Sequence, residues 1–204
     1  ETLSNISLMK RMVRNNMPMP QEKKKYTFAD YLGWDENERV EIINGEAIIA
    51  QAAPSPVHQE VAYQIARQIG NYLEGKRCKV YPAPFAVCLN TGKNEEECDT
   101  VVEPDISIVC DMSKINEHGC KGAPDMIAEV VSPSSARRDR MVKLNLYEQA
   151  GVKEYWIVDP VEQSIQVYLM DAGRYRVADY YAKGDIAKVH VLDGCFVELS
   201  KVFK

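Results

Sequence analysis

Apolar residues recur along this chain with two periods, and the changes of period divide it into predicted helices and strands. Between residues 57 and 73 apolar side chains return every three or four positions, which predicts an amphipathic helix packed on a core. A second helix is predicted to begin at Ser134 or Ser135 as its N-cap and to end near Ala150. Gly151 is well placed as the residue that stops it.

Alternating and β-branched apolar runs predict the strands. Asn44-Gly45 separates two such runs, and this dipeptide favours the type I′ turn of a β-hairpin. Further strand-like segments are 78–89, 101–109, 125–131 and 153–159, and the tail contains several short antiparallel strands. The predicted fold class is therefore mixed α/β (α+β) with a mixed sheet. Tyr147, Tyr155 and Trp156 are interpreted as core and interface residues.

Length and charge refine this organisation. The 204 residues are enough for one well-filled core, so one domain is predicted for 26–204, with its core at about 38–160 and a β-rich tail at 161–204. Residues 1–25 carry six basic and two acidic side chains and are predicted to form a flexible basic arm. The net charge of the whole chain is −5, which weighs against nucleic-acid binding on bulk composition.

Composition also bears on the compartment and on metal sites. No apolar run reaches the roughly 18 residues that a membrane span needs, and no signal-peptide pattern opens the chain, so a cytoplasmic protein without membrane contact is predicted. Its six cysteines contain no CxxC pair and would be reduced in the cytosol. Cys110, His118 and Cys120 could touch one zinc ion, but plain structural roles are favoured.

Candidate chemistry lies in two strand segments. Glu103, Asp105 and Ser107 alternate onto one face of their strand, and Glu129 lies inside an otherwise apolar run. A buried carboxylate must be protonated, paired or bound to a cation. Taken singly, Glu129 paired with a basic residue and Asp105 capping a turn are the better explanations. Taken together, the two carboxylates favour a shared Mg²⁺ or Mn²⁺ ion, which prefers oxygen ligands.

Several short motifs, in order over about 120 residues, resemble the Uma-type endonuclease family of the restriction-endonuclease-like PD-(D/E)XK superfamily. They are Val40–Glu46, Ser55-Pro56 with His58, Val102–Asp105, Glu129–Ser134, then Asp139, Lys143, Tyr147 and Gly151–Pro160. The resemblance implies a restriction-endonuclease-like core sheet flanked by helices. It also implies metal-dependent cleavage of phosphodiester bonds in nucleic acid, with DNA favoured, and a homodimer.

The resemblance also assigns roles to the acidic residues. Asp105 and Glu129 would be the metal ligands, and Glu41 would be a further acidic member of the catalytic set. The superfamily pattern expects a lysine two residues after the glutamate, where this chain has Val131. Lys143, in the helix that follows, is the predicted substitute. The alternative for Lys143 is a surface ion pair with Asp139 four residues earlier.

Four further residues are predicted to contact nucleic acid. Arg137, Arg138 and Arg140 crowd the first turns of the second helix, where the helix dipole disfavours cations and favours a bound phosphate. An exposed charged face explains them equally well. His58 is a candidate proton carrier or phosphate contact, although a capping or packing role is more common for such a histidine.

Three functions remain open at this point. The first is a Mg²⁺- or Mn²⁺-dependent endonuclease that uses a metal-activated water. The second is a catalytically degenerate nuclease-fold dimer that binds nucleic acid or regulates, which Val131 and the acidic pI of about 5.4 favour. The third is a metal-dependent hydrolase of a small phosphorylated molecule.

Overall fold

Strands dominate the architecture. The structure, a computed structural model, describes residues 24–34, 40–49, 53–90, 94–133 and 135–204. The α-helices in these ranges are α1 (Phe28–Leu32), α2 (Pro56–Leu73), α3 (Leu144–Ala150) and α4 (Leu199–Val202), and a π-helix (Arg138–Lys143) runs directly into α3. None of these helices has the length and apolarity needed to cross a membrane. Most of the predicted N-terminal arm lies outside the described residues.

The described strands form two six-stranded sheets and one two-stranded ribbon. The strands are β1 (Val40–Ile43), β2 (Glu46–Ile49), β3 (Lys79–Pro82), β4 (Val87–Cys88), β5 (Val101–Val102), β6 (Ile106–Val109), β7 (Ile115–Asn116), β8 (Gly119–Lys121), β9 (Met126–Val130), β10 (Glu154–Asp159), β11 (Ser164–Asp171), β12 (Arg174–Ala182), β13 (Ile186–Lys188) and β14 (Phe196–Glu198). The first sheet has the order β2-β1-β5-β4-β8-β7, the second β12-β11-β10-β9-β6-β3, and β13 pairs with β14. Each large sheet contains one parallel pair, β4–β8 and β9–β10. The predicted mixed α/β fold class is confirmed.

The predicted hairpin is the β1–β2 pair. Asn44 and Gly45 both have positive φ, 52° and 82°, as a type I′ turn requires. Val40 pairs with Ile49, and Ile43 pairs with Glu46 across the turn. This hairpin places Glu41 on the first sheet, facing the second.

The second sheet is covered on both faces, and the predicted core residues are buried in it. On one face α2 contributes Ile65 and Ile69, which pack with Trp156. On the other face Tyr147 and Tyr155 pack with apolar residues of the first sheet. Because both faces are covered there, the central strands β9 and β10 are buried along almost their whole length.

The helical segment after β9 begins as predicted, because Ser135 directly precedes its first helical residue, Ala136. Ser132 Oγ accepts a hydrogen bond from the Ser135 N–H at 3.2 Å, and Ser135 Oγ accepts one from the Ser132 N–H at 3.0 Å. This reciprocal capping pair does the work expected of Ser134 or Ser135, and Ser134 itself lies outside the described residues. Gly151 ends α3 in the left-handed conformation with φ 84°, as predicted.

Four of the six cysteines are paired. Disulfides join Cys78 to Cys110 and Cys88 to Cys98, while Cys120 is a buried free thiol. The expectation of reduced cysteines is therefore wrong for these two pairs. The zinc alternative is also wrong, because Cys110 has no thiolate to offer a metal. Both bonds join segments brought together by strand pairing, since Lys79 pairs with Val109 in the register between β3 and β6.

Candidate active site

One cleft between the two sheets collects most of the predicted site residues. It has a volume of about 450 Å³. The predicted residues that line it are Glu41, His58, Asp105, Glu129, Arg138 and Lys143, and Asp139 lines it as well. Two predicted residues, Arg137 and Arg140, do not line it.

The two proposed metal ligands face each other across neighbouring strands. Strands β6 and β9 are antiparallel, with Ile106 opposite Ala128, and the same register continued by one residue places Asp105 opposite Glu129. Directly opposed residues have Cβ atoms about 5 Å apart. The Val130 N–H donates to Asp105 Oδ2 at 2.8 Å, which fixes that carboxylate against the end of β9. Strand pairing thus brings together two carboxylates that are far apart in the sequence.

Glu129 is buried and has two donors on one oxygen. Its Oε1 accepts hydrogen bonds from Lys143 Nζ at 2.8 Å and from the Tyr147 hydroxyl at 2.6 Å. Burial raises the pKa of Glu129 to about 8, with Lys143 acting in the opposite direction and the nearby Asp105 in the same one. The expectation that a carboxylate in this strand must be paired or protonated therefore holds, and Lys143 is the partner.

Lys143 joins the two sheets. Its Nζ lies 2.8 Å from Glu129 Oε1 and 2.8 Å from Glu41 Oε1. Burial alone lowers the pKa of Lys143, but the surrounding carboxylates raise it further than burial lowers it, so the ammonium stays charged. The alternative of a surface ion pair with Asp139 is wrong, because both side chains are only 2% exposed.

Glu41 enters the site from the first sheet with one oxygen poorly satisfied. Its Oε1 accepts a hydrogen bond from the Glu103 N–H at 3.2 Å. Its Oε2 is buried and has no hydrogen-bond donor among the described residues, although Arg138 Nη1 lies 3.9 Å away. An oxygen in this condition favours an added cation.

The π-helix contributes a carboxylate that the sequence had offered only as an ion-pair partner. Asp139 is buried on this helix, 4.0 Å from Arg138 Nε, and the Tyr155 hydroxyl donates to its backbone carbonyl at 3.1 Å. Burial raises the pKa of Asp139, and Lys143 opposes that shift. The spacing of Asp139 and Lys143 was the available signal, since residues four apart share one helix face. The spacing could not predict that both Asp139 and Lys143 are buried.

The predicted nucleic-acid contacts separate into two groups. His58, near the start of α2, has Nε2 3.2 Å from Asp105 Oδ2, while its backbone N–H donates to Ser55 Oγ at 3.2 Å. Only the backbone of His58 thus takes part in capping. Arg140 instead pairs with Asp159 at 2.8 Å on the surface, and Arg137 is exposed.

The donor set fits a hard divalent cation with few protein ligands. Asp105, Glu129 and Glu41 offer carboxylate oxygens, which suit Mg²⁺ and Mn²⁺. Across the described residues, no three His, Cys, Asp or Glu side chains converge as a complete metal cage. At most two side chains would therefore bind an ion directly. Mg²⁺ commonly keeps several waters and binds one or two carboxylates together with substrate phosphate.

Comparison with known proteins gives consistent results. Residues 28–200 match the family model described as "Uma2: Putative restriction endonuclease". Two Synechocystis sp. proteins described as uncharacterized are similar in sequence: slr1290 is 26% identical over 78% of this chain and 82% of its own length, and sll1609 is 24% identical over 71% and 81%. The crystal structure of a putative nuclease belonging to DUF820 from Anabaena variabilis superposes with a TM-score of 0.67. It is 20% identical and matches over 87% of this chain and 97% of its own.

The structural likeness supports a nuclease-type fold, and the family match spans the whole described site. The matched residues include the turn of the β1–β2 hairpin, the strands of Asp105 and Glu129, and the π-helix that carries Lys143. A general nuclease function is consistent with the family description. The chain belongs to the Uma2 restriction endonuclease family.

Proposed function

We propose that this protein is a Mg²⁺- or Mn²⁺-dependent endonuclease that hydrolyses phosphodiester bonds in nucleic acid, with DNA as the favoured substrate. The observation that supports it most is the opposition of Asp105 and Glu129 at the end of paired strands, with a buried charged Lys143 beside them. Two carboxylates and a lysine at one cleft are the groups that metal-assisted cleavage of a phosphodiester requires.

Asp105 and Glu129 would hold the ion. When bound, a divalent ion lowers the pKa of a coordinated water and neutralises charge that builds on the phosphate. Asp105 is already oriented by the Val130 N–H, so its free lone pairs face the cleft. Glu41 acts indirectly in this scheme, because it positions Lys143 from the opposite sheet.

Lys143 would act as a donor and not as a general base. Its pKa is raised by the surrounding carboxylates, so the ammonium keeps its proton at neutral pH. A charged ammonium in a partly dry cleft stabilises negative charge that develops on the phosphate oxygens. The superfamily pattern gives this role to a lysine at position 131. Here that position is Val131, which is buried with Tyr147 in the apolar core.

Arg138 is the arginine best placed to contact a phosphate. It lines the cleft, and its Nε is buried without a hydrogen-bond partner among the described residues. Such a donor fits a phosphate oxygen, since arginine binds phosphate through directed N–H groups. His58, beside Asp105, would serve as the proton carrier or as a second phosphate contact.

A homodimer is part of the proposal, as the family resemblance implies. The long edge strand β12 would supply the contact, since it exposes Val177 and Tyr180 at the open side of the second sheet. An exposed edge strand with apolar side chains pairs readily with another chain.

A second candidate function is a catalytically degenerate module that binds nucleic acid or regulates. The observation that favours it is Lys143 itself, because its ammonium already neutralises Glu41 and Glu129 where a metal would act. The acidic pI of about 5.4 weighs in the same direction.

Titration calorimetry with Mn²⁺ tests the proposal directly. Wild type should bind Mn²⁺, the Asp105→Asn/Glu129→Gln double variant should not, and Glu154→Gln should bind like wild type because Glu154 lies outside the cleft. Plasmid nicking in Mn²⁺ should then fall to background in the double variant and in Lys143→Met. Binding without nicking, seen as a gel shift that persists in the double variant, would favour the degenerate module instead.

A further inference from the structure

A second cavity adjoins the cleft and has a different chemistry. It measures about 870 Å³ and shares His58, Glu103 and Asp105 with the cleft, so the two spaces adjoin at the proposed metal ligand Asp105. Its aromatic lining consists of Tyr31, Trp34, Tyr63 and Phe85. This cavity is called the aromatic groove below. Its volume lies within the range of about 300–1,000 Å³ that is typical of small-ligand sites.

Three separate segments of the chain supply the aromatic rings of the groove. Tyr31 lies in α1 and Trp34 just after it, Tyr63 lies on α2, and Phe85 lies between β3 and β4. The Phe85 ring stacks on Tyr81 with a centroid distance of 4.3 Å and an interplanar angle of 7°. Rings from different elements around one space are typical of sites that receive a flat, apolar ligand.

Hydrogen bonds fix the groove relative to Asp105. The Ala83 N–H donates to the Asp105 carbonyl at 3.0 Å, and the Ala86 carbonyl accepts from the Cys120 N–H at 2.9 Å. Phe85 lies between these two anchored residues. On the opposite wall the Tyr31 hydroxyl donates to Glu103 Oε1. A group held in the groove is therefore held at a fixed position relative to the proposed metal ligands.

The two spaces differ in their cationic side chains. Carboxylates line both spaces, and Glu103 and Asp105 are common to them, but within the described ranges only the cleft is also lined by a lysine and an arginine, Lys143 and Arg138. A phosphate is attracted to these cationic donors, so the backbone of a nucleic acid belongs in the cleft. A nucleobase is uncharged, and its amino groups can donate to carboxylates, as the cytosine N4 amine does to Glu or Asp.

We propose that the aromatic groove receives an unstacked base of the strand whose phosphate lies in the cleft. This inference rests on the proposed function and narrows its substrate class to single-stranded or locally unpaired nucleic acid. In a regular duplex the bases are stacked and paired, so none can enter a side cavity without being extruded. Stacking on aromatic side chains is the common way in which proteins hold single strands without strict sequence preference.

Fluorescence anisotropy with a labelled single-stranded DNA of roughly twelve nucleotides tests the inference, a length within the usual site size. Ca²⁺ replaces Mn²⁺ so that binding is measured without cleavage. Tyr63→Ala is the test variant, because Tyr63 is 58% exposed and its loss should leave the fold intact. Phe196→Ala is the matched control, because Phe196 is 53% exposed, lies on β14 and does not line the groove.

Tyr63→Ala should weaken binding of the intact strand by about tenfold or more, in line with the loss of one stacking contact. It should leave binding of a strand made wholly of abasic sites unchanged, and Phe196→Ala should change neither. Tryptophan fluorescence gives a second readout, because the chain has two tryptophans and Trp156 is fully buried. The intact strand should quench Trp34, and the quenching should disappear in Trp34→Phe.

Other outcomes overturn the inference in distinguishable ways. If wild type and Tyr63→Ala bind the intact strand equally, no base occupies the groove. The proposed endonuclease function is not affected by that outcome. Failure of wild type to bind any single strand also rejects the groove, and plasmid nicking then decides the proposed function separately. Tyr63-dependent binding of a lysine-rich peptide, with none of the DNA, would identify the groove as a site for cationic ligands.

Discussion

Two buried glutamates on neighbouring parallel strands have opposite surroundings. Glu129 on β9 and Glu154 on β10 are both buried in apolar runs, and burial raises the pKa of both. Glu129 is bound by the ammonium of Lys143 and lines a cleft. Glu154 accepts hydrogen bonds from Trp156 Nε1 at 2.7 Å and from the Val191 N–H at 2.8 Å.

The difference teaches that burial of a carboxylate does not by itself indicate a reactive site. Glu154 is satisfied by neutral donors that belong to the fold, and through Val191 it ties the C-terminal tail to the sheet. Glu129 depends on the ammonium of Lys143 at the edge of a cavity, and a metal ion can share or replace that positive charge. A cationic partner beside an open cavity therefore distinguishes Glu129, the candidate site residue, from Glu154, which has a structural role.

Removal of the cation should have the largest effect. Lys143→Met leaves Glu41 and Glu129 buried without their partner, so the free energy of unfolding should fall by about 3–5 kcal/mol in urea denaturation. Lys153→Met is the control, because it removes an equally short pair with Asp125 in which the lysine is 68% exposed. That loss should stay within about 1 kcal/mol. Similar losses in the two variants would mean that Glu129 does not depend on Lys143.

The pH dependence of stability should separate the two glutamates. Because the pKa of Glu129 is raised from 4.5 to about 8 in the folded protein, the folded state holds this proton more tightly than the unfolded chain. Its stabilising contribution is complete below pH 4.5 and is lost as the pH rises to about 8, with a slope of up to about 1.4 kcal/mol per pH unit.

Chemical denaturation over this pH range measures that slope. Glu129→Gln should flatten it, because the amide does not titrate. Glu154→Gln should keep the part of the decline that Glu129 causes, which ends at about pH 8. A slope that survives Glu129→Gln unchanged would assign the decline to another group.

The hydroxyl of Tyr147 should contribute least. Measured above pH 8, where Glu129 is ionised, Tyr147→Phe removes the 2.6 Å hydrogen bond to Glu129 Oε1 and keeps the ring in the core, so the free energy of unfolding should fall by about 1.5 kcal/mol. Tyr155→Phe removes a longer bond to a neutral carbonyl, at 3.1 Å, and should cost about 1 kcal/mol or less. A loss in Tyr147→Phe below that of Tyr155→Phe would show that Glu129 is uncharged at the pH of measurement.

Local patterns were sufficient for much of the fold. Asn44-Gly45 predicted its hairpin because both residues tolerate positive φ, and the apolar period of α2 predicted a helix on the core. Strand alternation placed Asp105 on one strand face with Glu103 and Ser107, and the two carboxylates together suggested the pairing of Asp105 with Glu129 that the strand register shows. In each case the deciding interactions lie within a few residues or follow from simple sheet geometry.

Features that depend on distant segments were not readable. The role of Glu154 rests on Val191, thirty-seven residues later, and nothing in its strand distinguishes it from Glu129. The disulfides follow from strand register, which the cysteine spacing does not encode. The aromatic groove joins three segments whose rings look like ordinary core residues in the sequence. The capping role of Ser132 was missed because Pro133 follows it and the serines after it appeared better placed.

The π-helical turn at Arg138–Lys143 gives this fold a way to change its chemistry over evolutionary time without disturbing its core. A π turn is equivalent to one residue inserted into an α-helix, and such turns recur at functional sites. A lysine at position 131 would have to displace an aliphatic side chain that packs with Tyr147. Lys143 instead lies in a helical segment in which one inserted or deleted residue would change the side chain that reaches the cleft. Active and silent descendants of one ancestor can therefore share the same two sheets.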